Sequence, residues 1–188
     1  MSAAPIDLVV MIGSVRSGRI GPSVADWFLG VAAKRAEFTT AVVDVMDLDL
    51  PHDLVRSPST DVLANAIYSA DAVVVVTPEY NHGYPGSLKT ALDSVKYEWR
   101  GKPIGFVSYG GLSGGARATE QLRQVAAELH MVSVRDSVAI AQVRKVFGDN
   151  RSAVEDAAVD AASRMLDQLW WWAAAAREMR GTDPYPGR

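Results

Sequence analysis

The sequence contains no cysteine among its 188 residues. This absence excludes disulfide bonds, thiolate metal sites and a cysteine nucleophile. It also lacks any apolar run of the roughly 18 residues that a membrane-spanning helix needs. The first residues, MSAAPID, lack the charged and apolar regions of a signal peptide. We therefore expect a soluble cytoplasmic protein without a membrane partner.

An excess of basic residues is lacking as well. The formal net charge is −3 and the isoelectric point is near 5.6, so the chain carries no general positive field to attract nucleic acid. Apolar residues make up 48% and charged residues 22% of the sequence, which is the balance of a folded globular protein. A chain of this length suits a single domain over residues 1–188.

Short apolar runs alternate with helical patterns along the chain. This alternation predicts a three-layer α/β fold with a parallel sheet and helices on both faces. Five strands suit the flavodoxin-like order 2-1-3-4-5. The predicted strands are Ile6–Ile12, Thr39–Val45, Asp71–Thr77, Lys102–Ser108 and Val132–Ile140. The predicted helices are Pro22–Ala36, Asp61–Ser69 (capped by Asp61 or Thr60), Pro85–Lys96, Arg117–Leu129 and a long C-terminal helix at about 151–180.

Unusual loops follow the first, third and fourth predicted strands, where open α/β sheets bind ligands. The first loop, residues 13–19, reads GSVRSGR and precedes a predicted helix. Helix N-termini attract phosphate, and Arg16 and Arg19 with Ser14 and Ser17 add donors to this one. We interpret the loop as a phosphate site, the alternative being a solvated turn with incidental arginines.

Two nucleotide motifs fail to match this loop. The dinucleotide fingerprint G-x-G-x-x-G requires a glycine where Val15 stands. The P-loop spacing is nearly met, but Arg19 and Ile20 replace the lysine and the Mg²⁺-binding hydroxyl. The loop therefore favours a terminal monophosphate bound without a metal ion.

The second loop, Pro78–Pro85, reads PEYNHGYP. Its prolines stiffen it, so that its backbone could meet the edge of a flat polar ring while Tyr80 and Tyr84 stack on the ring face. A rigid surface loop is the alternative. For His82 a solvated position is favoured over a proton donor, and for Glu79 a surface or interface charge over a general base.

The third loop, Ser108–Gly115, holds four glycines in eight residues. Glycine lets a backbone approach a ligand closely, whereas the alternative is a flexible connection. A separate feature is the run Trp170–Trp172, whose side chains point about 100° apart on a helix. They cannot share one core face, so at least one is expected on the surface or in a subunit interface.

Together the three loops resemble the NAD(P)H-dependent FMN reductase family of flavodoxin-like proteins, which includes quinone, azo-dye and chromate reductases. The matching segments are GSVRSGR at 13–19, PEYNHGYPGSLKTALD at 78–93 and SYGGLSGGARATEQLR at 108–123. The chain departs from many relatives, which have S-F-N where it has Arg19, Ile20 and Gly21. The resemblance implies one FMN per subunit, with the phosphate on Ser14, Arg16, Ser17 and Arg19, the ring on Pro78, Glu79, Tyr80, Asn81 and Tyr84, and Ser108, Tyr109, Gly110 and Gly111 on the other side.

The resemblance also implies how such a protein works. NADPH or NADH reduces the flavin at N5, and a small-molecule acceptor (a quinone, an azo compound, a metal oxyanion or free flavin) then takes the electrons. This scheme requires no acid–base side chain, so no catalytic residue is assigned and no metal is expected. Similar proteins form homodimers or homotetramers, with the helix Pro85–Lys96 in the contact. A non-enzymatic electron carrier, a supplier of reduced flavin to a monooxygenase and a flavin-free binding module are the alternatives.

Overall fold

The computed structural model describes residues 4–147, 154 and 156–186. The strands are β1 (Ile6–Ile12), β2 (Phe38–Asp44), β3 (Ala72–Pro78), β4 (Pro103–Tyr109), β5 (Val132–Ser133) and β6 (Val138–Ile140). The helices are α1 (Gly21–Ala32), α2 (Pro58–Ser69), α3 (Gly86–Ser94), α4 (Ala116–Glu128), α5 (Val143–Phe147) and α6 (Asp156–Thr182), with a 3₁₀ turn at Val45–Asp47.

The strands form one parallel sheet in the order β2-β1-β3-β4-β5, with β6 also paired to β4. Every residue of β3 and of β4 is buried, as expected for central strands covered by helices on both faces. The predicted flavodoxin-like order is confirmed.

Alternate residues of each strand enter two separate cores. Val74 and Val76 pack with α1 and α6, where Phe28 is fully buried. Val73 and Val75 pack with α2, α3 and α4 on the opposite face. The two layers leave the carboxyl ends of the strands uncovered by long helices, and the loops at that edge build the site.

The fifth strand position is divided, where one strand over Val132–Ile140 was predicted. Ser133 pairs with Ile104, and Val138 pairs with Val107. Between these pairs β4 advances by three residues and its partner by five, so the edge strand carries two extra residues and its pairing is interrupted. The interruption is the polar segment around Asp136, whose backbone N–H donates to Gln168 on α6.

Several helix boundaries also differ from the prediction: α1 ends at Ala32 rather than Ala36, and α3 ends at Ser94 rather than Lys96. Helix α2 begins at Pro58 rather than Asp61, because Ser57 is its N-cap and forms a capping box with Thr60. Helix α6 spans Asp156–Thr182, while the predicted start near 151 lies outside the described residues. Near its C-terminus, Arg177 and Arg180 form ion pairs with Asp71, the residue before β3.

The tryptophan run lies on the outer side of α6. Trp170, Trp171 and Trp172 are 43%, 59% and 41% exposed, so all three lie on the surface of the chain, where at least one was expected on the surface or in an interface. Ala162, Leu166, Leu169 and Ala173 form the buried stripe. Within the described residues, no helix has the length and apolarity that crossing a membrane requires.

Candidate functional site

The three loops predicted to bind a ligand meet at the carboxyl edge of the sheet. They enclose a cavity of about 450 Å³ together with the segment after β6, a size typical of cofactor and small-molecule sites. Its lining consists of Arg16, Ser17, Gly18, Arg19, Ile20, Pro78, Glu79, Tyr80, Tyr109, Gly110, Gly111, Gln142, Val143, Arg144 and Lys145.

The first loop leads into an uncapped helix. Gly13 N–H donates to Val76 O over 2.9 Å, and Ser87 Oγ donates to Gly13 O over 3.0 Å, which fixes the start of the loop. Within the described chain, no side chain caps the N-terminus of α1 and its first turn holds no acidic residue. The first N–H groups of a helix lack intrahelical partners, so this end of α1 suits an anion.

The two arginines of this loop have different environments. Both amino groups of Arg19 bond the Asp44 carboxylate, at 2.5 and 2.6 Å, and Nη1 also donates to Ser14 O over 2.7 Å. The hydrogen bonds to Asp44 raise the pKa of Arg19 although burial opposes the change. Arg16 is exposed, forms no ion pair with any described residue, and lies 5.1 Å from the centre of the Tyr80 ring. Arg16 is therefore the more available cation.

The two serines also differ. Ser14 is fully buried, and its Oγ accepts a hydrogen bond from Tyr109 Oη over 3.2 Å. Burial raises the pKa of Tyr109 to about 12, so this hydroxyl stays protonated and remains a donor. Ser17 is exposed and lines the cavity. Of the four residues predicted to hold phosphate, the structure thus brings Arg16, Ser17 and Arg19 to the cavity, while Ser14 lies beneath it.

The second loop is a tight, constrained turn. Tyr80 and Gly83 exchange backbone hydrogen bonds of 2.8 and 3.1 Å. The two residues between them, Asn81 and His82, have φ values of +48° and +77°, which is the pattern of a type I′ turn. Asparagine adopts this conformation more readily than most residues. The turn holds Tyr80 at the cavity while Asn81 projects outside its lining.

Glu79 joins the second loop to the third. One of its carboxylate oxygens accepts from Ser113 Oγ and from Arg117 N–H, both at 3.1 Å, and the other forms an ion pair with the Arg117 guanidinium. Burial raises the pKa of Glu79, but these hydrogen bonds outweigh it and hold the pKa below its ordinary value. With 5% of its side chain exposed, Glu79 is buried against the first turn of α4, where a surface or interface charge was expected.

Tyr84 and His82 lie away from the cavity lining. Tyr84 packs against the core formed with α2, α3 and α4, so it supports the loop from below. His82 Nδ1 lies 3.2 Å from Arg117 Nη1, and His82 O accepts from Gln121 Nε2 over 3.1 Å. His82 is thus held by α4, though it is exposed.

The third loop is held by its serine. Ser108 is buried, and its Oγ lies within hydrogen-bonding distance of Gly114 O at 2.9 Å and Val138 O at 3.3 Å. Gly115 has φ +89°, and a Cβ there would lie 2.7 Å from Ser108 Cβ, so only glycine fits. Gly110 and Gly111 line the cavity, and a Cβ at Gly111 would meet open space.

One wall of the cavity was not predicted. Gln142 N–H donates to Gly111 O over 2.8 Å and Val143 N–H donates to Gly110 O over 3.0 Å, which fastens α5 to the third loop. Arg144 and Lys145 of this helix also line the cavity. Helix α5 has five residues, too few for a periodic pattern. The sequence did contain one signal for this wall. Two adjacent basic residues, Arg144 and Lys145, follow closely after a strand that ends at the same edge of the sheet.

The donors at this site suit FMN. The uncapped α1 N-terminus, Arg16 and Ser17 provide the charge and hydrogen-bond donors that a phosphomonoester requires. Rigid backbone at Pro78–Tyr80 and at Gly110–Gly111 provides a surface for a flat ring. Among the described residues, no three potential metal-binding side chains cluster together.

Comparisons with known proteins agree with this chemistry. A sequence model described as NADPH-dependent FMN reductase matches residues 6–145. An NAD(P)H-dependent FMN reductase of Schizosaccharomyces pombe is 39% identical over 135 residues, covering 66% of this chain and 67% of the relative. A quinone reductase of Escherichia coli is 33% identical over 129 residues, covering 64% and 69%.

A similar solved structure is the flavoenzyme NAD(P)H:(acceptor) oxidoreductase of Paracoccus denitrificans. Its TM-score is 0.70 at 24% identity, and the match covers 91% of this chain and 98% of that one. At this identity the structural similarity shows the fold alone, and the family assignment rests on the sequence matches. The chain therefore belongs to the NADPH-dependent FMN reductase family, whose members are oxidoreductases that use FMN and NAD(P)H.

Proposed function

We propose that this protein reduces quinones with electrons from NAD(P)H while holding FMN in the cavity at the carboxyl edge of the sheet. One observation carries the proposal: a single cavity joins the uncapped N-terminus of α1 to the rigid backbone of Pro78–Tyr80. A quinone is a flat ring that suits a flat binding surface, and the similar Escherichia coli protein is named a quinone reductase.

The first loop would bind the FMN phosphate through Arg16, Ser17 and the first N–H groups of α1. Arg19 has a different part, because its guanidinium is held by Asp44 and by Ser14 O. Arg19 would hold the backbone of the first loop in place and add positive charge at the phosphate site without contacting the phosphate. Ser14 contributes through its hydrogen bond with Tyr109, which joins the first loop to the third.

The ring would lie against the second and third loops. The N–H groups of Glu79, Tyr80 and Gly110 already donate to backbone carbonyls, so they are not available to a ring. The N–H group of Gly111, which lines the cavity, has no backbone acceptor among the described residues, which makes it the donor expected at the ring edge. Such fixed donors stabilise negative charge that develops on a bound ring.

Bound FMN supplies the electron transfer, because it accepts a hydride equivalent from a nicotinamide and passes two electrons to an acceptor. Two titratable side chains that line the cavity, Glu79 and Tyr109, are held by other groups of the protein. Glu79 is ionised and held by Arg117 and Ser113, and Tyr109 is a buried donor to Ser14. These two side chains would therefore hold the loops in place rather than transfer protons.

The absorption spectrum and turnover of the purified protein test this proposal. We expect a yellow protein that releases FMN on denaturation, is bleached anaerobically by NADPH or NADH, and oxidises the nicotinamide continuously with a soluble benzoquinone. A colourless protein that gains no flavin from added FMN would refute the flavin site. Reduction without turnover would indicate an electron carrier, and FMN that dissociates after each reduction would indicate a supplier of reduced flavin.

Arg16→Ala tests the phosphate assignment. Charged hydrogen bonds contribute about 1.5–3 kcal/mol, so the FMN dissociation constant should rise roughly tenfold or more. The melting temperature of the flavin-free protein should not change. Arg56→Ala, an exposed arginine paired with Asp61 on α2, is the matched control. An unchanged FMN affinity in Arg16→Ala would remove Arg16 from the phosphate site.

We further propose that the subunits form a homodimer or a larger homo-oligomer. Four apolar side chains within residues 46–62, namely Met46, Leu54, Val55 and Val62, are exposed and support this, because apolar surface left exposed on a subunit is suited to a protein contact. Light scattering coupled to size-exclusion chromatography measures the mass directly. A mass near 20.2 kDa at micromolar concentration would refute it.

A further inference from the structure

The outer side of α6 carries a large exposed aromatic surface. The buried stripe of this helix includes Ala162, Leu166, Leu169 and Ala173. Because successive residues of a helix turn by about 100°, Trp171 points almost directly away from the middle of that stripe. Trp171 is also the most exposed of the three tryptophans, at 59%. Its ring loses contact with water only if another surface covers the outer side of α6.

Trp171 lies midway between two opposite charges on the same line of the helix. Arg164 precedes it by seven residues and Glu178 follows it by seven, a spacing that keeps all three on one face. Arg164 is 58% exposed and lies 3.9 Å from Asp136, a long separation for an ion pair. Glu178 is exposed and forms no ion pair with any other described residue. A face with opposite charges at equal distances from a central aromatic ring is complementary to a second, antiparallel copy of itself.

The other positions of this face fit the same symmetry. We define the outer face of α6 as the residues between 160 and 182 whose side chains lie within about 40° of Trp171, namely Asp160, Arg164, Asp167, Trp171, Ala175, Glu178 and Thr182. An antiparallel copy centred on Trp171 sets Asp167 opposite Ala175 and Asp160 opposite Thr182, so no like charges meet directly. Asp167 also pairs with Arg35 of its own chain, at 2.7 Å.

The flanking tryptophans would gather at the same centre. Trp170 and Trp172 lie about 100° to either side of Trp171. A twofold axis at Trp171 brings the two copies of Trp170 together on one flank and those of Trp172 on the other. Since the three rings are about half exposed, six of them supply roughly 600 Å² of contact area. This is about half of what a stable interface buries, so we expect a contact of micromolar rather than permanent strength.

We propose that the outer face of α6 binds the same face of a second copy of this chain, antiparallel and about a twofold axis at Trp171. Arg164 of each copy then pairs with Glu178 of the other. Helix α6 packs in one core of the sheet and α2 in the other, so this contact is separate from the exposed apolar side chains within residues 46–62. It extends the homo-oligomer proposed above by a second contact and does not depend on the flavin site.

Sedimentation equilibrium over a micromolar concentration range tests the proposal, with Val55→Asp present throughout to disrupt the contact at residues 46–62. We expect a dimer of twice 20.2 kDa. Arg164→Glu and Glu178→Arg should each raise its dissociation constant about tenfold, because each sets like charges opposite one another at two symmetric positions, and the two changes combined should restore it to within about threefold. Glu120→Arg reverses an exposed carboxylate on α4, in the opposite layer; this matched control should change nothing.

The distance between two spin labels tests the orientation. The native chain has no cysteine, so Asp160→Cys introduces one labelling position per chain. Position 160 lies eleven residues from Trp171, so antiparallel copies place the two labelled backbones roughly 30–35 Å apart, whereas parallel copies would place them about 10 Å apart. The longer separation should be measured by electron paramagnetic resonance and should disappear when Glu178→Arg is added.

The outcomes separate this contact from the alternatives. A monomer at every concentration in the Val55→Asp background refutes the α6 contact, while a native protein that is still an oligomer keeps the homo-oligomer. Equal effects of Glu178→Arg and Glu120→Arg also refute it, as does a label separation near 10 Å. A monomer whose tryptophan emission shifts to shorter wavelength on neutral phosphatidylcholine vesicles would assign the face to a lipid surface instead. A protein that dimerises through α6 but binds no FMN would refute the proposed function and leave this inference standing.

Discussion

Asp44→Asn distinguishes two possible parts for Arg19 in FMN binding. If Arg19 is a direct phosphate ligand, removing its carboxylate partner would free it to turn toward the phosphate, and FMN would bind more tightly. If Arg19 instead fixes the first loop, the same change would loosen the loop and weaken FMN binding. The bidentate geometry and the third bond to Ser14 O favour the second outcome.

The expected cost to stability follows from burial. Breaking a buried ion pair on one side costs about 3–5 kcal/mol, and an exposed pair contributes about 0–1 kcal/mol. The side chains of Arg19 and Asp44 are 16% and 12% exposed, so the pair is closer to the buried limit. We expect Asp44→Asn to lower the free energy of unfolding by about 2–4 kcal/mol, because Arg19 keeps a charge without a carboxylate partner.

Urea unfolding and FMN fluorescence quenching measure the two quantities. With the loop less ordered, binding must fix roughly one more residue, and the FMN dissociation constant should rise about fivefold to twentyfold. Asp93→Asn is the matched control, since it breaks the Lys89–Asp93 pair on α3, whose side chains are 43% and 33% exposed. The control should lose less than about 1 kcal/mol.

A double-mutant cycle completes the test. Arg19→Gln combined with Asp44→Asn should lose less stability than the two single changes added together, because the second change removes the unpaired partner. Tighter FMN binding in Asp44→Asn would refute the reasoning and restore Arg19 as a direct phosphate ligand. A stability loss no greater than that of Asp93→Asn would refute the energetic argument.

Two further predictions concern buried charges, one beside the cavity and one far from it. Glu79→Gln should lower the free energy of unfolding by about 2–3 kcal/mol. The folded-state pKa of Glu79 lies below 4.5, so the native carboxylate stabilises the fold above that pH, and this contribution disappears as the pH falls further. The urea midpoints at pH 7 and pH 3 should therefore differ less in the variant than in the native protein. Burial lowers the pKa of Lys102 to about 8 from 10.5. Between pH 8 and 10.5 the unfolded chain therefore binds a proton at Lys102 that the folded protein does not. The free energy of unfolding should rise with pH over this range, by up to about 1.4 kcal/mol per pH unit. Lys102→Met should lack this rise, and an identical slope in both proteins would contradict the assignment.

The sheet was predictable because burial on both faces leaves a plain pattern. Strand β3 contains four consecutive valines, all fully buried, and no other element gives such a run. The edge position was predicted less well. Whether Val132–Ile140 forms one strand depends on how its residues pair with those of the neighbouring strand β4. This pairing register cannot be read from a single sequence.

The sequence predicted which loops form the candidate site, but not which side chains of those loops face the cavity. The loops after β1, β3 and β4 do enclose the cavity. The sequence could not show that Ser14 faces inward, because its partner Tyr109 lies 95 residues away. Nor could it show that Asp44, 25 residues from Arg19, holds that guanidinium. Such contacts arise when the fold brings distant segments together, and local composition carries no record of them.

Each loop at the cavity is held by a polar contact with a different element. The first is held by Asp44 at the end of β2, the second by Arg117 on α4, and the third by the hydrogen bond of Ser108 to Val138 on β6. A ligand entering such a site orders few groups, so more of its interaction energy remains as affinity. The loops are also coupled, because Glu79 contacts both Ser113 in the third loop and Arg117 at the start of α4. Loosening any one anchor should therefore weaken flavin binding through the shared backbone, even where the altered residue does not touch the ligand.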